Sequence, residues 1–390
     1  MCEKGTKDED DNAIWQIGVF DVHCHPTDIM ASIDSIANMK AKVLTVMATR
    51  SQDQELVAKV ANEYPLSGKP DFSRESSKFV VPAFGWHPWF THQMYDDRSK
   101  GGTIHAVDHY KSVLSPEPDD EEFLNSLPTP RPLSKFLEET ETKLRQYPLA
   151  LIGEVGIDRP FRVPKGAFSP AGDISNKTDN SKEEYTPGSR EGRPLTPYRV
   201  SLEHQKLLLR SQLELGAKYR RACSVHSVQA HGVVFDLLQS MWKGHEKPSK
   251  RTQRKQNGVG KAHDGGNSGS AEDKTDESPL PFPPRVCMHS YSGPPDTVRQ
   301  LLGSTVPVDV YFSFSEGINF SSPSAKKVEE VMKTVADDRI LVESDFHCAG
   351  DKMDELLKTI IVKVCDLKGW SLTEGTKTLR TNWEKFIFGD

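Results

Sequence analysis

Short apolar runs recur along the chain at 17–21, 41–48, 78–85, 149–154, 222–226, 285–289, 308–314 and 339–343, each rich in Val, Ile, Leu or Phe. Between them, residues 51–64, 132–146, 201–219, 232–242, 295–302, 323–336 and 351–368 carry apolar positions three and four apart, the spacing of a helix with one buried face. Eight strands alternating with helices predict an α/β fold, a (β/α)8 TIM barrel in preference to an open doubly wound sheet. The first run is followed by no G-x-G-x-x-G, which argues against a dinucleotide-binding fold.

Two stretches fall outside this alternation. Residues 160–197 are rich in Pro, Gly, Ser, Asn and charge, and residues 243–284 more so, with a basic run at 247–255 and hardly an apolar residue from 256 to 278. Both are expected to be flexible insertions in a single barrel domain, 1–390, with its core at about 15–389 and a disordered tail at 1–12. A shorter polar interruption, 94–130, separates the third strand from its helix. The apolar content of 36% with 27 Gly and 26 Pro fits a globular core diluted by such segments.

The net charge of −6 gives no overall attraction to nucleic acid, so binding of a polyanion would rest on a local patch or on bound cations. Residues 1–11 lack the apolar core of a signal peptide and no stretch approaches a membrane-spanning length, so a cytoplasmic or nuclear protein with no membrane association is expected. The six cysteines are scattered without a C-x-x-C pair and suggest neither a zinc knuckle nor a disulfide framework; Cys24, Cys223, Cys287 and Cys348 read as small buried neighbours of strand-end residues.

In a barrel of this kind the reactive groups stand at the carboxyl ends of the strands. There the first run delivers His23 and His25, two apart and so able to converge on one ion; the fourth ends in Glu154 and Asp158, the fifth in His226, the sixth in His289 and the eighth in Glu343-Ser344-Asp345. Imidazole and carboxylate suit divalent ions such as Zn2+ and Mn2+, and a carboxylate can bridge two. The expected arrangement places His23, His25 and Asp345 on one ion, His226 and His289 on another, and Glu154 between them. Taken singly, each residue could equally be a buried histidine or a loop carboxylate, and the inference rests on their coincidence at five strand ends.

The segments DVHCHPTD, GWHPW, IGEVGIDR, HQKLLLRSQLEL, VHSVQAHG, CMHSYSG, YFSFSEGINF and LVESDFH, in this order, resemble the TatD-family metal-dependent deoxyribonucleases of the amidohydrolase superfamily over nearly the whole chain. Within that family the chain is similar to a fungal branch with long polar insertions, named for interaction with a tetratricopeptide subunit of the anaphase-promoting complex. The resemblance implies a TIM barrel of the metal-dependent hydrolase type, and it carries the metal positions onto the same six residues. It also implies DNA as substrate, single-stranded or at ends, and that subunit as partner. Two departures bear on substrate choice: Ser227-Val228-Gln229 stands where many relatives have an Arg-Asp pair, and Ser315-Glu316 where small residues are common.

Hydrolysis of a phosphodiester by this set would use two divalent ions, Mg2+, Mn2+ or Zn2+, about 4 Å apart to activate a shared water. Asp345 is the expected general base and, with Glu154, the catalytic carboxylate. His87 and Arg159 are the expected substrate contacts, with a histidine packed between tryptophans and a simple salt bridge as their structural alternatives. Two rival functions stand beside this one. Amide, ester or small phosphoester hydrolysis on the same scaffold is disfavoured by Glu154 at the position where related amidohydrolases carry a carbamylated lysine. A cell-cycle partner-binding protein with a vestigial metal site is favoured by the insertions.

Overall fold

Eight parallel strands form the sheet of the computed structural model, which describes residues 7–69, 77–98, 104–165, 185–188, 193–249, 280–321 and 325–389. They are β1 (Phe20–Cys24), β2 (Val43–Met47), β3 (Phe79–Phe84), β4 (Leu151–Asp158), β5 (Cys223–Val228), β6 (Arg285–Met288), β7 (Asp309–Phe314) and β8 (Ile340–Val342). Each pairs with the next in chain order, and helices follow the strands, so the α/β barrel expected from the apolar runs is the fold. Residues along a strand alternate between the sheet's two faces. Val43, Met47, Val81, Ala83, Tyr311 and Leu341 accordingly pack inside the barrel, while Leu44, Val46, Val80, Phe84, Val310, Phe312, Ile340 and Val342 pack outward against helices. Burial of both faces is what turns these strands into continuous apolar runs.

The seam between β8 and β1 is knitted by polar bonds. The Asp21 carboxylate accepts the Ser344 N–H at 3.1 Å and the Ser344 hydroxyl at 2.5 Å. The Asp345 N–H donates to His23 O at 3.0 Å, and the His25 N–H to Phe346 O at 2.8 Å. Asp21 is fully buried, and that burial pushes its carboxyl up to about 7. The seam therefore runs directly beneath the HxH segment and the loop that carries Asp345.

Helices at both termini extend the alternation. Lys7–Ile17 places helical backbone inside the segment read as a disordered tail, and β1 begins only after it, three residues later than the apolar run suggests. Leu372–Phe388 drives Trp383, Phe386 and Ile387 into the cluster formed where the strands begin, by Phe20, Val43 and Leu151 and by Ala222 just before β5. This helix plugs the amino-terminal end of the barrel, and each such fully buried side chain contributes about 2 kcal/mol. The 94–130 interruption also folds: helices Ala106–Val113 and Glu121–Ser126 share a small core of Tyr110, Phe123, Leu124, Val163, Tyr198 and Val200. That core gathers the two ends of the first insertion beside the barrel. The basic run at 247–255 and the 256–278 stretch lie largely outside the described residues. No described helix is long and apolar enough to cross a membrane.

Candidate metal centre

With one end plugged, the barrel interior opens at the carboxyl ends of the strands, and there the polar residues converge. His23 closes β1 from within, fully buried, with its Nδ1 2.8 Å from the Ser224 hydroxyl of β5. Its Nε2 lies 3.1 Å from His25 Nε2, 3.4 Å from Glu154 Oε2 and 3.8 Å from Asp345 Oδ1. His25 Nε2 is 3.3 Å from both Glu154 Oε2 and Asp345 Oδ1. Glu154 turns its other oxygen away: Oε1 is 2.8 Å from His289 Nε2, 2.9 Å from His226 Nδ1 and 3.1 Å from His87 Nε2.

Two imidazole nitrogens at 3.1 Å repel unless a proton or a cation lies between them. Donors bound to one ion at about 2.1 Å stand roughly 3 to 3.5 Å apart, which is the spacing of this group. Three sets of donor atoms lie close enough to hold a metal ion: His23 with His25 and Asp345, His23 with Glu154 and His289, and His87 with Glu154 and His226. Glu154 belongs to two of them and faces the first, so the donor chemistry fits divalent ions on either side of its carboxylate.

The electrostatics match. Burial alone would raise the Glu154 carboxyl, but the imidazoles of His87, His289 and His23 outweigh it and hold Glu154 well below the ordinary carboxylate range. Burial likewise opposes the charged form of His25, yet Asp345 and Glu154 push it well above the usual value. Asp345 sits in the left-handed region at φ 50°, held by its bond to His23 O, a backbone state that costs a non-glycine residue free energy and aims the carboxylate into the cluster.

Second carboxylates orient the imidazoles. Asp158 Oδ2 lies 3.1 Å from His226 Nε2 and accepts the Trp89 indole N–H at 2.7 Å. Glu343, fully buried, accepts the Ser290 N–H and hydroxyl at 2.6 Å each and the Ser313 hydroxyl at 2.5 Å, and faces His289 Nδ1 at 3.5 Å. Asp21, Asp158 and Glu343 were given no role on sequence grounds. Their signal is an even spacing: Asp21 from His23, Asp158 from Glu154 and Glu343 from Asp345 each lie two or four residues along one strand or its end.

The structure thus brings together His23, His25, Glu154, His226, His289, Asp345 and also His87, expected as a substrate contact, whose Nε2 lies 3.1 Å from Glu154 Oε1. His87 Nδ1 accepts the Trp89 N–H at 3.2 Å, leaving its ring proton on Nε2 toward Glu154, and burial lowers its pKa to about 4, so the ring is neutral. Arg159 is not in the cluster: it stands exposed on the rim, with its N–H bonded to Val228 O at 3.2 Å.

Comparison with known proteins gives the family. Residues 20–388 match the model of the TatD related DNases. The chain is 36% identical over 372 residues to the Cut9-interacting protein scn1 of Schizosaccharomyces pombe, spanning 95% of this chain and 98% of that protein. It is 23% identical over 335 residues to an uncharacterized deoxyribonuclease of Saccharomyces cerevisiae, covering 84% of this chain and 82% of the other. Among solved structures, an uncharacterized amidohydrolase from Saccharomyces cerevisiae superposes with a TM-score of 0.53 at 13% identity, over 95% of this chain and 99% of that one, a likeness of fold. By a match that spans its entire barrel, the chain belongs to the TatD-related DNase family.

Proposed function

We propose that this TatD-family hydrolase cleaves phosphodiester bonds of DNA, with one divalent ion held by His23, His25 and Asp345, a second by His226 and His289, and Glu154 shared between them. The observation that carries the reading is the divergence of the two Glu154 oxygens, Oε2 toward His25 at 3.3 Å and Oε1 toward His289 at 2.8 Å. Mg2+, Mn2+ or Zn2+ suit these donors, and when bound they supply a water activated at neutral pH and neutralise charge on the phosphorus oxygens.

The chain's own groups would do the rest. Asp345, its side chain 13% exposed against 4% for Glu154, faces the open mouth and is the carboxylate placed to take the proton of an attacking water. His87, neutral with its proton on Nε2, can donate to Glu154 or to a phosphate oxygen. Arg159 is the rim cation available to a phosphate further along a strand. In the cytoplasm or nucleus, single strands and ends are the DNA forms best able to bring a phosphate to a cluster as buried as this one.

The test is direct. Purified protein with Mn2+, Mg2+ or Zn2+ should degrade end-labelled single-stranded DNA, and His226→Ala or Asp345→Ala should abolish this. Intact DNA alongside hydrolysis of small esters by the wild type would overturn the assignment. A second reading, favoured by 36% identity to a protein named for interaction with Cut9, adds binding of an anaphase-promoting-complex tetratricopeptide subunit. Deleting residues 250–278 should then remove co-purification with that subunit while leaving hydrolysis unchanged.

A further inference from the structure

Within the first insertion, Tyr185–Gly188 is fastened to the mouth of the barrel by a buried cation. Arg50, 3% exposed at the end of β2, directs Nε to Pro187 O at 3.2 Å and Nη2 to Thr186 O at 3.1 Å and to Asp28 Oδ1 at 2.9 Å. Its Nη1 donates to the Thr49 hydroxyl at 2.9 Å and to Asp53 Oδ2 at 3.2 Å. Thr186 completes the attachment from the other side, its N–H donating to Asp28 O at 2.8 Å and its hydroxyl to Thr27 O at 2.6 Å. Gly188 turns at φ 89° against Arg50, where a Cβ would stand 3.2 Å from the guanidinium stem. A guanidinium with all its donors engaged and almost no exposure to solvent fixes geometry well, since losing any partner strands a buried charge.

What this clamp holds in place is an aromatic ring. Tyr185 stands with its ring centroid 5.8 Å from that of His347, which is 4.6 Å from Phe346. All three are half-buried. Phe346 and His347 directly follow Asp345, and Phe346 O accepts the His25 N–H at 2.8 Å, so this aromatic edge adjoins the metal-binding cluster. Thr27 and Asp28, which receive the insertion, likewise follow His25 by two and three residues.

We propose that Tyr185 and His347 form a stacking platform for a nucleobase next to the phosphate held at the cluster, so that the insertion supplies part of the substrate site. This rests on the reading of the protein as a DNA hydrolase. Every base has a π-face, so such a platform binds single strands without reading sequence, whereas a paired base is stacked within its own duplex. It also gives the buried Arg50 clamp a function beyond packing, because a stacking ring is useful only if its distance from the reacting phosphate is fixed.

The experiment pairs a protein change with a substrate change. Steady-state cleavage with Mn2+ is measured on oligothymidylate and on the same strand with one abasic position beside the scissile phosphate, for the wild type, Tyr185→Leu and Tyr185→Phe. The platform predicts a KM roughly ten-fold higher for the abasic strand with wild type. It further predicts loss of that penalty in Tyr185→Leu, which keeps apolar bulk without a ring, and its return in Tyr185→Phe. Arg50→Lys, which loosens the clamp, should reduce the penalty as well. If the wild type cleaves DNA and the penalty is the same in Tyr185→Leu, the platform is excluded while the nuclease reading stands; if the wild type neither cleaves nor binds the strand, both fall.

Discussion

Asp158 Oδ2 lies 3.1 Å from Nε2 of His226, across the imidazole from the Nδ1 that faces Glu154. Burial would raise the Asp158 carboxyl, but the bonds from His226 and Trp89 outweigh it and hold it below its ordinary value. An ionised acceptor on one side keeps the ring proton on Nε2 and leaves the Nδ1 lone pair for a cation. Three donors converge on this carboxylate, His226 Nε2–H, the Trp89 indole and the Phe161 N–H, so an amide in its place would oppose one of them with its own N–H.

Asp158→Asn is therefore expected to weaken Mn2+ binding about 10- to 100-fold, the usual cost of losing a carboxylate behind a metal-ligating histidine. Isothermal titration of metal-free protein measures it. Unchanged affinity would remove Asp158 from this role.

Gly156, between Glu154 and Asp158 on β4, has φ 156°, and a Cβ there would stand 2.1 Å from His226 O. Gly156→Ala is expected to destabilise the fold by more than about 3 kcal/mol and to lower metal affinity, since β4 and β5 would have to part where Glu154 meets His226. Urea denaturation of the metal-free variant reads the first effect and metal titration the second. A variant as stable as the wild type would mean that the two strands can separate freely.

Most of the barrel is legible in the sequence because parallel strands buried on both faces leave unbroken apolar runs, and these fall on the eight strands within a few residues. The cluster proposed to hold metal is legible for a related reason: a polar residue directly after such a run has little structural purpose, so His226, His289 and Glu154 stand out. The satellite core of Tyr110, Phe123 and Tyr198 was not legible, since its residues are single aromatics in polar surroundings and their contacts are distant in sequence. The plug by Trp383 and Phe386 escaped because nothing in the alternation of strands and helices says how the lower end is closed. The places of Asp158 beside His226 and Glu343 beside His289 are not legible, because a carboxylate looks the same in sequence whichever partner it faces.

A second histidine group, away from the cluster, contributes to acid sensitivity. His109 Nε2–H donates to His92 O at 2.8 Å and His204 Nε2–H to Thr91 O at 2.9 Å, and burial lowers His92 to about 3 and His204 to about 4 from 6.5. The folded values lie below the unfolded one, so the unfolded chain takes up protons that the fold refuses. The contribution of these two histidines is full above about pH 6.5 and is lost as the pH drops toward about 4, by up to about 1.4 kcal/mol per pH unit for each, while the raised carboxyl of Asp21 offsets part of it. Urea midpoints of metal-free protein across this window should show the slope, and His204→Gln should make it shallower. A midpoint independent of pH would contradict it.

The central claim, that Glu154 is shared between two ions, is tested most directly by metal content. Protein equilibrated with millimolar Mn2+, freed of excess by gel filtration and analysed by mass spectrometry of the metal, should carry about two Mn2+ per chain, and Glu154→Gln about one or fewer. A wild-type content of one ion or none, or two ions in both proteins, would contradict the shared carboxylate.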